Sequence, residues 1–156
     1  MVSFDAAAAK RVRETCVGLN VRKFARALTN GSDEALAPTG LRLTQFSLLA
    51  HVRALGRMTI GDLTVAMDLD QTTVSRNVEV LRRAKLLSVE RAGRRRMIGL
   101  TVAGQTALDH AYPVWASRQA TLVANIGGEA GWSALRGDLA RLTGGIEISA
   151  NPVNGL

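Results

Sequence analysis

Between Asp70 and Arg96 the chain sets a short polar helix start, Asp70-Gln71-Thr72-Thr73-Val74-Ser75-Arg76-Asn77, ahead of the triplet Arg94-Arg95-Arg96. Gln71, Thr72, Thr73, Ser75, Arg76 and Asn77 are side-chain types that read base edges, Arg pairing with guanine and Gln or Asn with adenine. From Arg76 to Arg96 eight bases stand against two acids, Glu79 and Glu90, so this stretch of 21 residues carries +6 of the net +7 of a 156-residue chain. An imbalance so local is a footprint for a polyanion. Together with Arg91 in the basic run and Thr59 at an earlier helix start, these residues compose a candidate surface for double-stranded DNA.

Other chemistry finds little support in the residue types. Cys16 is the one cysteine, so no internal disulfide forms, and with His51 and His110 it is too sparse for a structural zinc site. Cys16, His51 and Asp62 could in type serve a nucleophilic reaction, but their spacing does nothing to bring them together, and no glycine-rich phosphate loop is present. No enzymatic activity, cofactor or metal is expected. His51 and His110 read as helix-surface or interface residues. Phe24, Tyr112, Trp115 and Trp132 read first as core or seam residues, with lining of an aromatic-ligand cavity as a second role.

The elements that must position the basic surface follow from periodicity and caps. A first helical run covers about Asp5–Thr29 and closes on Asn30-Gly31, a natural C-terminal cap pair. After a loop with Pro38 and Gly40, a second helix starts with Thr44 as cap and carries Phe46, Leu49, Val52 and Leu55 as an apolar stripe, ending at Gly56. Thr59 caps a short third helix, Ile60 to Met67, with Leu63 and Ala66 inward and Asp62 in its first turn. Asp68-Leu69-Asp70 is a tight link, and Asp70 caps a fourth helix. There Val74, Val78 and Leu81 fall on one face, which turns Thr72, Thr73, Arg76, Glu79 and Arg83 outward. Two short helices so joined describe a helix-turn-helix. Leu87–Arg91 and Arg96–Leu100 then read as strands joined through Ala92-Gly93, a wing. A long helix runs from Thr101 to about Asn125; Pro113 within it removes one backbone hydrogen bond and is expected to bend it. A last helix, Glu129–Thr143, carries Trp132, Leu135, Leu139 and Leu142 at the spacing of a helix–helix seam.

The expected fold class is therefore mainly α with a small β-hairpin wing: a winged helix-turn-helix core flanked by N- and C-terminal dimerisation helices. Residues 5–30 and 101–145 form the helical dimerisation region, 41–100 the DNA-binding domain, and 146–156 a flexible tail. The terminal helices find no obvious partner within so small a winged core, which points to a second copy. Two-fold symmetry would then set two recognition helices in successive major grooves, about 34 Å apart.

Bulk properties agree. Apolar content of 47% with 21% charged residues suffices for a core. No apolar run is long enough to span a membrane, and Met1 to Arg13 lacks the apolar centre of a secretory signal. A pI near 11.0 then points to a nucleic-acid partner and cytoplasmic residence, with an anionic membrane surface the lesser alternative.

Leu43-Thr44-Gln45-Phe46-Ser47-Leu48-Leu49, Thr59-Ile60-Gly61-Asp62-Leu63 and Thr72-Thr73-Val74-Ser75-Arg76-Asn77-Val78, taken in order, resemble the MarR family of transcriptional regulators. So do Leu81, Leu86-Leu87, Leu100-Thr101 with Gly104, and Ala111 with Pro113 and Trp115. The resemblance implies a homodimer joined by its terminal helices. It implies repression from pseudo-palindromic operators, and release by a small aromatic or phenolic ligand or by thiol oxidation. The chain departs from the family in its wing: members usually carry Asp-Arg-Arg in a longer hairpin, where the Asp braces an Arg aimed at the minor groove. Here Leu87 to Thr101 is shorter and holds no Asp. Phosphate contact by Arg94, Arg95 and Arg96 and minor-groove reading are both open, and base specificity is expected to rest on the helix. Cys16 sits at a position similar to the reactive thiol of the peroxide-sensing branch. It is open to three readings: an inert structural thiol, a redox switch, or a ligand-pocket residue. A DNA-binding architectural protein with no effector is the further alternative.

Overall fold

The computed structural model describes residues 4–93 and 95–144. Seven helices and one hairpin follow in the order α1 (Ala6–Thr15), α2 (Val17–Leu36), α3 (Leu43–Leu55), α4 (Ile60–Met67), α5 (Gln71–Arg83), β1 (Leu87–Ala92), β2 (Arg95–Leu100), α6 (Val102–Asn125) and α7 (Gly128–Leu142). The fold is the expected one, mainly helical with a small antiparallel wing. Arg94 and residues 145–156, with the expected tail, lie outside the described residues.

The first helical run differs from its expectation at both ends. It breaks at Cys16, whose ψ of 109° is extended, and the Asn20 amide spans the break by donating to the Glu14 and Cys16 carbonyls at 3.2 and 3.0 Å. It then passes through Asn30-Gly31 without stopping. At Gly31, within the helix, a Cβ would lie 2.7 Å from Arg118 Nη2, the far end of a flexible side chain that can shift. The chain turns only after buried Leu36, through a 3-10 turn at Ala37–Thr39 and Gly40 at φ 77°. The start of α3 also moves. Thr44 does not cap it; Leu43 opens the helix, its N–H donating to Asp33 Oδ1 at 2.7 Å, while Arg42 N–H donates to Gln45 Oε1 at 3.0 Å.

The core lies where α3, α4, α5 and the hairpin meet. Leu48, Leu49, Leu63, Val74, Leu81 and Ile98 are fully buried there. The stripe expected on α3 is buried at Phe46, Leu49 and Val52 and is widened by Leu48, while Leu55 at its end is 46% exposed. The reason is that α3 is enclosed by α2, α4, α5, α6 and β2, so its apolar demand exceeds a single face. Phe46 and Trp115 stack with centroids 5.6 Å apart, and this joins the winged core to α6. Pro113 does not end α6.

The hairpin pairs Leu87 with Leu100 through Ala92 with Arg95, each strand one residue longer than expected, and turns at Gly93 with φ 61°. Met58 adds a one-residue third strand, exchanging backbone hydrogen bonds with Ile98 at 3.1 and 2.7 Å. The hairpin exit is pinned beneath α5. Thr101 Oγ1 donates to the Lys85 carbonyl at 2.8 Å and accepts from Gly104 N–H at 2.9 Å, and a Cβ at Gly104 would sit 2.1 Å from the Leu86 carbonyl oxygen.

Candidate nucleic-acid interface

Helix α5 forms because Asp70 caps it and three apolar residues give it a floor. Asp70 Oδ1 accepts from Thr73 N–H at 2.8 Å and Oδ2 from the Thr73 hydroxyl at 2.6 Å. Val74, Val78 and Leu81 are buried as expected. Burial of these three leaves Gln71, Thr72, Ser75 and Arg76 around one shallow surface depression. None of the four side chains makes a hydrogen bond or ion pair among the described residues. They stand ready for an external partner.

The other polar candidates near the helix-turn-helix are already engaged. Thr59 caps α4, its hydroxyl donating to Asp62 Oδ2 at 2.8 Å and accepting from Asp62 N–H at 3.2 Å. Asn77 donates to the Thr73 carbonyl at 2.9 Å, and the Thr73 hydroxyl serves Asp70. The cap hydrogen bonds hold two carboxyls below their ordinary values. At Asp62 the Thr59 backbone N–H contributes most, with a smaller share from the charge of Arg95; at Asp70 the Thr73 hydroxyl leads. With folded values depressed, these caps are intact above the usual carboxylate range and weaken as pH falls through it.

Charge within the basic stretch divides into two groups. Glu79 accepts from Arg82 Nε and Nη2, both at 2.8 Å, and from Arg83 Nε at 2.7 Å; these bonds, Arg82 first, draw its carboxyl down to about 2. Arg82 and Arg83 are thus locally answered. On the hairpin Glu90 is answered by Arg57, Nη2 to Oε2 at 2.5 Å, a residue sequence reasoning did not single out. Arg57 crosses the strands over Gly99, where a Cβ would meet its Cγ at 3.5 Å. This pair ties the hairpin to the α3–α4 connection and braces none of the described wing arginines.

That clamp leaves Arg91, Arg95 and Arg96 exposed, with no ion pair among the described residues. Arg91 and Arg96 are direct partners across the ladder. Like charges so placed oppose hairpin formation. A polyanion lying along the wing removes that repulsion, so the hairpin is electrostatically prepared for one. Among the described residues no group of three His, Cys, Asp or Glu side chains is placed to hold a metal ion, and no helix is long and apolar enough to cross a membrane.

Away from the basic surface, Cys16 lies exposed at the α1–α2 break rather than within a helix. His51 is half-buried with Nδ1 2.7 Å from the Ser47 carbonyl, and His110 is exposed. Of the expected seam residues, Trp132 and Leu139 are half-buried, and Leu135 and Leu142 are exposed on α7. Trp115, Gln119, Val123 and Trp132 line a groove of about 490 Å³ between α6 and α7.

Comparison with known proteins matches residues 39–96, the helix-turn-helix and most of the hairpin, to the MarR family model. Among solved structures, the transcriptional regulator MosR of M. tuberculosis is 36% identical, with 91% of this chain and 96% of that chain covered and a TM-score of 0.72. MosR in complex with DNA is 37% identical over 81% of this chain and 92% of that one, again with a TM-score of 0.72. BpsR of Bordetella bronchiseptica, whose DNA binding is regulated by 6-hydroxynicotinic acid, shares the fold at 23% identity, with a TM-score of 0.73 over 82% of this chain and 93% of that chain. No curated protein sequence matches.

Proposed function

The chain belongs to the MarR family of DNA-binding transcriptional regulators, which are not enzymes, and from that premise we propose that it is a homodimeric repressor of a pseudo-palindromic operator, released by a small aromatic or phenolic ligand. The observation that carries the DNA-reading part is the outward set Gln71, Thr72, Ser75 and Arg76, held by a capped helix with no internal partner. Thr59, Thr73 and Asn77 support that set as local braces. Arg91, Arg95 and Arg96 supply phosphate contacts, and Arg94 belongs to the same basic run. In the DNA complexes of this fold class one helix reads the major groove while backbone contacts fix its register.

Dimerisation is supported by apolar surface that the single chain leaves open. Val12, Val17, Leu19, Val21, Phe24 and Leu28 are exposed along α1 and α2, and Leu135 and Leu142 along α7. Contiguous apolar surface of this kind marks an association face. The groove with Trp115 and Trp132 supports an aromatic ligand, being of a size that suits small molecules. Cys16 supports a second reading, thiol control, because its exposure at the helix break admits an oxidant. Repeating the DNA assay after mild peroxide tests it, and retained binding with an oxidised thiol ends it.

The deciding experiment is selection of bound duplexes from random DNA, with the mass of the protein measured by light scattering. Two inverted half-sites about 10 base pairs apart, bound by a dimer, are expected. A monomer, or an asymmetric or unselective site, would overturn the proposal. On the selected operator the double variant Arg91→Ala, Arg96→Ala is expected to lower the slope of log K against log salt by about 1.8, about 0.9 per lost phosphate contact. An unaltered slope assigns both arginines to solvent.

A further inference from the structure

We propose that Arg57 is a positioning residue for DNA binding, whose ion pair with Glu90 sets the angle at which the hairpin presents its arginines. The inference rests on the reading that Arg91, Arg95 and Arg96 meet phosphates, and it adds what aims them as a group. Glu90 precedes Arg91 and lies across the ladder from Met97, which follows Arg96. A tie at Glu90 therefore acts one residue from the Arg91–Arg96 rung on both strands. It touches neither guanidinium of that rung; it fixes the strands that carry them.

The backbone explains how Arg57 arrives there. Gly56 ends α3 at φ 82°, and Met58 then pairs antiparallel with Ile98. The same register sets Arg57 beside Gly99, where a Cβ would lie 3.5 Å from Arg57 Cγ and 3.6 Å from its Nε. The side chain thus runs in contact with the strand surface, and Nη2 donates to Glu90 Oε2 at 2.5 Å. Beyond the rung of Val89 and Ile98, no other side-chain hydrogen bond or ion pair among the described residues joins the hairpin to a helix or its connections. That outer part also carries the like-charged pair Arg91 and Arg96, which works against its order. Two strands alone are marginal, so the direction of the outer hairpin depends on such a tie. An exposed ion pair adds little to global stability. Its effect falls on where the arginines point, and so on DNA affinity rather than on melting.

The test is titration of the selected operator with the full-length protein over a range of salt, with melting curves for every variant. Glu90→Gln is the decisive substitution. It removes a negative charge from a surface that meets a polyanion and releases Arg57, so charge alone would tighten binding. Positioning requires the opposite: affinity is expected to fall about threefold, the scale of one exposed ion pair, with an unchanged melting temperature. The salt slope is expected to fall as well, because misaimed arginines displace fewer counterions. The exchanged pair Arg57→Glu, Glu90→Arg keeps the net charge and is expected to restore both affinity and slope. Equal or tighter binding by Glu90→Gln overturns the proposal, as does an exchanged pair that melts like the wild type yet binds no better than Glu90→Gln. Arg91→Ala, Arg96→Ala separates this failure from that of the underlying reading. If that variant lowers the salt slope while Glu90→Gln does not weaken binding, the clamp alone is lost. If it leaves the slope unaltered, the phosphate contacts of that rung and the clamp are lost together.

Discussion

Arg76→Ala is expected to weaken operator binding at least about tenfold while leaving the melting temperature and the mass in solution unchanged. Arg76 is exposed on α5, away from Val74 and Val78, and it makes no hydrogen bond or ion pair among the described residues. Removing it therefore exposes no core and orphans no partner. If it pairs with a guanine edge, the loss is about 1–3 kcal/mol, which spans the stated factor. Arg82→Ala is the contrasting control. Its guanidinium is held by Glu79, which keeps Arg83 as a partner when Arg82 is lost. A gel-shift titration on the selected operator separates the two. Unchanged affinity for Arg76→Ala would take this residue out of the reading surface.

Gly104→Ala is expected to cost stability rather than specificity, by about 1–3 kcal/mol or more, a fall of several degrees in melting temperature. The added methyl would lie 2.1 Å from the Leu86 carbonyl oxygen and 2.7 Å from Leu100 Cδ1. The first of these is backbone and cannot step aside without moving the hairpin entry. Ala103→Ser, one position earlier and exposed, is the control expected to melt as the wild type does. Calorimetry of the three proteins decides, and an unshifted Gly104→Ala would mean that α6 and the hairpin are less tightly joined than the close approach implies.

The recognition helix was legible because everything that makes it is local. Asp70 caps within three residues, and Val74, Val78 and Leu81 repeat at helical spacing. The two strands and the last two helices were legible for the same reason, within a residue or two at their ends. What could not be read depends on contacts between distant parts of the chain. Asn30-Gly31 has the form of a helix end, yet the helix runs on through it to Leu36. The Thr44 cap gives way because Asp33 reaches the first turn of α3 from α2. The break at Cys16 depends on one amide, Asn20, bonding carbonyls on both sides. Within the interface, residue type alone marked Gln71, Thr72, Ser75 and Arg76 no differently from Thr59, Thr73 and Asn77. Only geometry separates free side chains from those used in caps. Arg57 escaped notice because its partner Glu90 lies 33 residues away and both look like ordinary surface charges.

The tight seat of α6 under the end of α5 has a mechanical consequence. Through Thr101 and Gly104 the start of this 24-residue helix is fastened to the residues that close the recognition helix. A helix of that length is about 36 Å long, so a tilt of about 5° at one end displaces the other by about 3 Å. Two such levers in a two-fold assembly would change the span between recognition helices by twice that amount. Grooves about 34 Å apart tolerate little such error. Release from DNA would then require no melting of the reading helix and no change in its side chains. In such an assembly a small rotation far from the duplex would be enough, and the gain of the lever would be set by the length of α6.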